Sequence, residues 1–208
     1  MGGVTTDAEL LEAWRAGDRV AGRQLFERHI GAVSRFFRNK INDEREELIQ
    51  RTFLSCVEAR DRIRDGSSFR AYVLQVARTK LYDHLSALAK ARETLDPMTT
   101  SILALGTSPS LAVVHRQRDA VLLRALQELP VAMQVAVELY YWEELSMSEI
   151  AAMLEVAPGT AKSRVFRARE ELRDNLRRLL AGNEDLSKLE GNLDEWARAL
   201  KATVTGST

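Results

Sequence analysis

A chain of 208 residues, 45% apolar and 29% charged, has room for one large domain or two small ones with ordinary cores, and its 30 Lys and Arg balance its 30 Asp and Glu to a formal net charge of zero. The single Cys56 excludes an internal disulfide, and His29, His84 and His115 stand too far apart to offer a structural metal site, so no metal and a reducing, cytoplasmic setting are expected. No apolar run nears the roughly 20 residues that span a bilayer, and the start MGGVTTDAELLEAW has neither a basic flank nor an apolar signal core, so neither export nor membrane insertion is expected. Gly2 and Thr6 match the short myristoylation pattern, which recurs by chance and has no second anchoring signal beside it.

Between residues 8 and 92 Gly and Pro are rare and apolar residues recur three and four apart, which predicts several packed helices. On one of these, Leu48, Thr52, Phe53 and Val57 are placed to form a buried face, and Glu47, Gln50, Arg51 and Leu54 an exposed one that suits either solvent or a protein partner. From residue 60 to 92 the cations Arg60, Arg62, Arg64, Arg70, Arg78, Lys80, Lys90 and Arg92 outnumber the acids Asp61, Asp65 and Asp83, which predicts a basic patch. Phe69 is expected in the core. Tyr72 is left open between core and surface; at the surface, an aromatic ring among cations suits the stacking of unpaired bases.

Residues 93–110, ETLDPMTTSILALGTSPS, hold two of the four prolines and several Ser and Thr without a sustained period, and read as a linker. The helical period returns at Leu111, pauses at Leu129 and Pro130, and continues into SMSEIAAMLEVAPGTAKSRVFRAREEL, the pattern of two helices broken by a short turn. Ser146 and Glu149 make a capping box for the first of these; Ile150, Ala151 and Leu154 share one face, with Ala151 small enough for a helix to cross closely above it. Pro158 suits the first turn of the second helix, while Ala157 at the N-cap forgoes about 1 kcal/mol that Ser or Thr would add. Ala161, Val165, Ala168, Leu172, Leu176 and Leu179 form its buried stripe. Thr160, Ser163 and Arg167 point the other way, flanked by Lys162 and Arg164, a hydroxyl and cation surface suited to base edges and phosphates of a major groove. Arg169 lies in phase with the stripe, where packing is its expected role. Beyond residue 182, Leu186, Leu189, Leu193, Trp196 and Leu200 form one apolar seam of an amphipathic helix, which either folds back on its own domain or docks a separate partner.

The fold class is therefore all-α: two small helical domains, residues 7–92 and 111–181, joined by a flexible linker at 93–110, the second a helix-turn-helix domain, with a C-terminal extension at 182–208. Residues 126–176 resemble the promoter-reading region four of bacterial sigma factors of the extracytoplasmic-function type, on the LP before a helix, LSMSEIA and GTAKSRVFRAREEL. The N-terminal half looks like region two of the same family: EELIQRTFLSCVEARDRI is similar to its polymerase-binding helix and DGSSFRAYVLQVARTKLYDHL to its promoter-melting segment. Together the matches cover most of residues 7–179, in the family's order. The resemblance implies a transcription initiation factor that binds core RNA polymerase, docking Glu47, Gln50, Arg51 and Leu54 on the clamp helices of the largest subunit and region four on the flap. It implies promoter DNA as the second partner and leaves an anti-sigma factor open as a third. Thr160, Lys162, Ser163, Arg164 and Arg167 would read the upstream element. The loop carrying Arg64, Ser67 and Ser68 would take a flipped base of the downstream element, with Arg70, Tyr72, Arg78 and Lys80 holding the separated strand, and the linker would thread the polymerase near the RNA exit path. Arg51 stands where the family usually has an acid, and Glu155 where it has a turn glycine, so the turn is expected without a residue free to take positive φ.

No pair of carboxylates, nucleophile with base, phosphate loop or metal set appears, so neither enzymatic chemistry nor a cofactor is expected. The alternative is an autonomous helix-turn-helix regulator whose N-terminal helices sense a ligand or dimerise.

Overall fold

The computed structural model describes residues 5–63, 69–91, 96, 99–107 and 117–181. Residues 64–68, with Arg64, Ser67 and Ser68, and residues 182–208, with the amphipathic C-terminal seam, lie outside the described set. Among the described residues the regular structure is helical, and the one pairing of extended backbone is an isolated bridge between Ser101 and Pro130. The helices group into two compact units, one comprising residues up to Phe37 and Asp43–Leu81, the other Arg38–Asn42 and the chain from Tyr82 onward.

The first unit is built from α1 (Asp7–Arg15), α2 (Arg19–Arg38), α3 (Arg45–Glu58), a single 3-10 turn at Arg60–Arg62, and the first part of α4 (Phe69–Ala91). Thr6 starts α1 with a capping box: its hydroxyl accepts from the Glu9 amide at 3.2 Å and its own amide donates to the Glu9 carboxylate at 2.7 Å. Asp18 performs the same service for α2, accepting from the amides of Val20 at 2.8 Å and Ala21 at 3.2 Å. The core holds Leu11, Leu25, Val33, Phe37, Leu48, Phe69, Val73, Leu74 and Leu81, all buried, each contributing about 1.5–3 kcal/mol. Phe26 ties the helices together, its ring centroid 5.1 Å from Trp14, 4.9 Å from Phe53 and 6.4 Å from Phe69. The close crossing of α1 over α2 depends on Gly22, where a Cβ would fall 2.5 Å from the Trp14 ring. Gly22→Ala is expected to destabilise the protein by about 1–3 kcal/mol in chemical denaturation, overpacking outweighing the gain in helix propensity.

The second unit contains α5 (Ile102–Leu105), α6 (Gln117–Gln127), α7 (Val131–Tyr141), α8 (Met147–Leu154) and α9 (Pro158–Leu180). Its core joins Leu122, Leu126 and Leu129 to Val137, Tyr141 and Trp142 and to Ala168, Leu172, Leu176 and Leu180. Part of the stretch assigned to a linker is folded here. Ser101 caps α5 by accepting from the Ala104 amide at 3.2 Å, Ile102 and Leu105 are buried, and Gly106 closes the helix at φ 67°. The Val131 amide donates to the Thr100 carbonyl at 3.0 Å, fixing this segment beside the start of α7. The Pro, Ser and Thr content of the stretch concealed an apolar pair three residues apart, and burying that pair outweighs the weak helical propensity around it.

A buried polar cluster completes the second unit. Glu138, midway along α7, accepts from Asn39 at 2.6 Å and Gln134 at 2.9 Å and forms an ion pair with Lys40, all four side chains being buried. Burial pushes Lys40 down and Glu138 up from their usual ranges, and their mutual attraction opposes both shifts. Such a pair adds little net stability over an apolar one, yet leaving one member alone is costly. Lys40→Met is expected to cost about 3–5 kcal/mol in thermal or chemical unfolding, and adding Glu138→Leu is expected to recover most of that loss.

Candidate nucleic-acid interface

The helix-turn-helix is assembled from α8 and α9. At the start of α8 the Ser146 hydroxyl accepts from the Glu149 amide at 3.3 Å and the Ser146 amide donates to the Glu149 carboxylate at 2.8 Å, the capping box expected from the sequence. Ile150, Ala151, Met153 and Leu154 are buried, and α8 packs against both α9 and α7. The turn corrects one expectation: Glu155 itself adopts the left-handed conformation, φ 55° and ψ 43°. Its amide donates to the Ala152 carbonyl at 3.2 Å and the next amide, of Val156, to the Ala151 carbonyl at 3.0 Å, so the turn gains its helix-ending bonds despite lacking glycine. A non-glycine residue there costs about 1–2 kcal/mol.

On α9, Ala161, Val165, Ala168, Leu172, Leu176 and Leu180 are buried. Leu180 takes the last place assigned to Leu179, which is only half-buried, because the 3.6-residue period has drifted by that turn. The outward side of the first turns carries Thr160, Lys162 and Arg167, all exposed, with Ser163 and Arg164 half-buried at its edge. The Ser163 hydroxyl donates to the Thr160 carbonyl at 3.0 Å, leaving its lone pairs for a donor. Arg169 lies with its guanidinium 5.8 Å from the Tyr141 ring centroid, a packing role as its phase indicates. No acid precedes residue 170 on the helix, and of those that follow, Glu170 pairs with Arg173 and Asp174 with Arg177 at 3.1 Å. Phe166, 61% exposed among these cations, was missed by the sequence reading. Its place one residue after buried Val165, on the outward side, was the available signal, since an apolar ring beside base edges can meet a thymine methyl.

The four residues read as a polymerase-docking surface, Glu47, Gln50, Arg51 and Leu54, are all exposed on α3, and Leu54 leaves 58% of its surface open. Val57, expected in the core, is exposed instead, extending that surface by one turn. Cys56 takes the buried place, because Leu48, Thr52 and Cys56 follow at four-residue steps while Val57 falls on the far side of the helix. Burial pushes the Cys56 thiol up to about 12, so it stays neutral and unreactive.

On α4 the candidates do not gather on one face. At about 100° per residue, Tyr72 faces outward, Arg78 and Lys80 flank the buried side on opposite edges, and Arg70 stands at the helix start; all four are half-buried. Phe69 is fully buried, as expected. Burial raises the Tyr72 phenol above its usual range.

Fold and site define a helix-turn-helix protein with a second helical unit that carries its own exposed surface. A model of sigma-70 region 2 matches residues 25–91, and one of sigma-70 region 4 matches residues 117–172. The chain is 32% identical to the RNA polymerase sigma factor CarQ of Myxococcus xanthus, over 80% of this chain and 95% of that protein. It is also 32% identical to the extracytoplasmic-function (ECF) sigma factor SigM of Mycobacterium tuberculosis, over 80% of this chain and 83% of that protein. Its fold is similar to that of the sigma factor RpoE solved in complex with the anti-sigma factor NepR from Bartonella quintana, with a TM-score of 0.56 and 22% identity over 78% of this chain and 98% of that one. The chain belongs to the sigma-70 family of RNA polymerase sigma factors, in its extracytoplasmic-function branch. It binds core RNA polymerase and promoter DNA and directs promoter-specific initiation of transcription. Among the described residues no helix is long and apolar enough to cross a membrane.

Two single changes test how α8 ends and α9 begins. Ala157→Ser supplies the missing cap to α9 and is expected to stabilise the protein by about 1 kcal/mol. Glu155→Gly is expected to stabilise it by up to about 1 kcal/mol, relief of the left-handed strain being partly offset by glycine's freer unfolded chain. Both are read from unfolding midpoints.

Proposed function

We propose that the first turns of α9 read the upstream promoter element in the major groove, with Thr160, Ser163 and Phe166 at base edges and Lys162, Arg164 and Arg167 dividing between bases and phosphates. The observation that carries this is the division of α9 itself: an unbroken apolar stripe fixes one side in the core, leaving the other side cationic and free of acid before residue 170. Glu47, Gln50, Arg51 and Leu54, extended by Val57, dock on the clamp helices of the polymerase largest subunit, and the helix-turn-helix unit docks on the flap. Arg70, Tyr72, Arg78 and Lys80 hold the separated strand downstream, while Arg64, Ser67 and Ser68 take the flipped base. Because the four α4 residues spread around the helix, the strand would cross the start of α4 at Arg70 and Tyr72 and run along one flank.

Promoter opening in this scheme is differential binding: contacts available only to unpaired bases offset the few kcal/mol of unstacking, and the chain itself performs no chemistry. The protein acts in the cytoplasm, where its polymerase is. An anti-sigma protein is a further partner, supported by the fold likeness to a sigma factor solved with one.

The test is holoenzyme binding to a promoter fragment at several salt concentrations. Arg167→Ala and Arg164→Ala are each expected to lower promoter affinity by about 1–3 kcal/mol if they reach bases. Lys162→Ala is expected to weaken all sequences alike and to reduce the salt slope by about 1. Unchanged affinity and sequence preference in all three variants would contradict the assignment of this face.

A further inference from the structure

His29 is a buried polar residue that the proposed contacts leave unused. It sits on α2 inside the first unit, 6% exposed, with its Nε2 2.6 Å from Asp7 Oδ2. Asp7 is held in turn by Arg28, whose Nη1 donates to Oδ1 at 2.6 Å while its Nη2 donates to the Thr5 carbonyl at 2.9 Å. The other side of the His29 ring lies 5.4 Å from the ring of Phe69, the first residue of α4, and Phe69 lies 6.4 Å from Tyr72. Burying an imidazole against a carboxylate costs more than well-packed apolar side chains of similar volume would, so the polar tie needs a reason beyond packing.

We propose that the Asp7–His29 pair is a positioning device for promoter opening: it seats Phe69 and thereby fixes Arg70 and Tyr72 at the start of α4, from which they hold the unpaired strand. This rests on the assignment of that end of α4 to the separated strand. Asp7 lies on α1, so α1 reaches the start of α4 by a polar path through His29, beside the aromatic path from Trp14 through Phe26 to Phe69. His29 acts through Phe69 and is a positioning residue; it touches neither DNA nor polymerase.

Among the described residues three charged groups face His29: Asp7 from α1, Arg28 from its own helix and Arg70 from α4. Burial holds the imidazole below its usual range, Asp7 pulls it up, and Arg70 and Arg28 add to the lowering. The balance lowers His29 from its ordinary value, so its proton is gained further to the acid side and then places a positive charge beside Arg70.

The experiment compares full-length wild type, His29→Ala, His29→Gln and Arg70→Ala/Tyr72→Ala as holoenzymes, measuring core affinity and, at saturating holoenzyme, the fraction of promoter opened. His29→Ala is expected to lower opening by about tenfold while core affinity stays within about twofold. His29→Gln, which keeps a donor toward Asp7 but cannot titrate, is expected to restore most of the opening. It is also expected to remove the part of the acid-side fall, below the ordinary histidine value of 6.5, that wild type shows relative to it on the same polymerase. Equal opening by His29→Ala and wild type, or a parallel loss of core affinity, would overturn the proposal. If His29→Ala does not fold, the pH dependence of the wild type to His29→Gln ratio decides: a flat ratio overturns it. Arg70→Ala/Tyr72→Ala separates the two readings. Normal opening by that variant overturns the strand assignment and the positioning role together, whereas impaired opening with a normal His29→Ala overturns the positioning role alone.

Discussion

The apolar stripe of α9 is the constraint on which the orientation of its cationic face rests. Six buried side chains, from Ala161 to Leu180, hold the helix against α6, α7 and α8. The larger of them are worth about 1.5–3 kcal/mol each, against a few tenths for a surface ion pair such as Asp174–Arg177. Packing rather than charge therefore decides which face of the helix is left outward, and the cations on that face follow from its orientation. The capping box at Ser146 and the left-handed Glu155 serve the same end, since they set where α8 stops and at what angle α9 departs. The protein tolerates strain at Glu155 and an uncapped start at Ala157 because the stripe supplies enough binding between the helices to absorb both.

The formal charge of zero conceals how charge is distributed. On the first turns of α9 the charged side chains are basic and the acids begin only at residue 170, where Glu170 and Asp174 each have a basic partner one turn along. On α3 acids, an amide, an arginine and exposed leucine and valine share a surface, which suits a protein partner better than DNA. A chain so arranged has little overall attraction to DNA and a local one at the faces we propose for promoter contact. Weak separate grips become a specific one only when joined on the polymerase, where the second contact is made at high effective concentration. Neutrality is then useful, because the free chain is not drawn to DNA at large.

Much of this was legible in the sequence because helical periodicity, caps and breakers are local. The buried stripe, the capping box at Ser146 and the exposed quartet on α3 follow from spacing alone. The misreadings share a physical cause. Val57 and Leu179 were each placed one residue from the position that is buried, an error of about 100° where the apolar residues come in adjacent pairs. The short helix at Ile102 was hidden because tertiary burial, which composition does not report, outweighs local propensity there. Glu155 was expected to avoid positive φ, yet the packing on either side of the turn imposes it. The Asp7–His29–Phe69 relay and the Glu138 cluster join residues far apart in sequence, and no local pattern announces them.

As a sigma factor, this chain confers promoter specificity on core polymerase. Run-off transcription with purified core polymerase on genomic promoter fragments, with and without the protein, tests it most directly. Discrete transcripts are expected from a subset of fragments, only when both are present, and are expected to be lost from Arg164→Ala/Arg167→Ala holoenzyme. Promoter fragments bound tightly by the protein alone, with no promoter-dependent transcript on adding core polymerase, would contradict it.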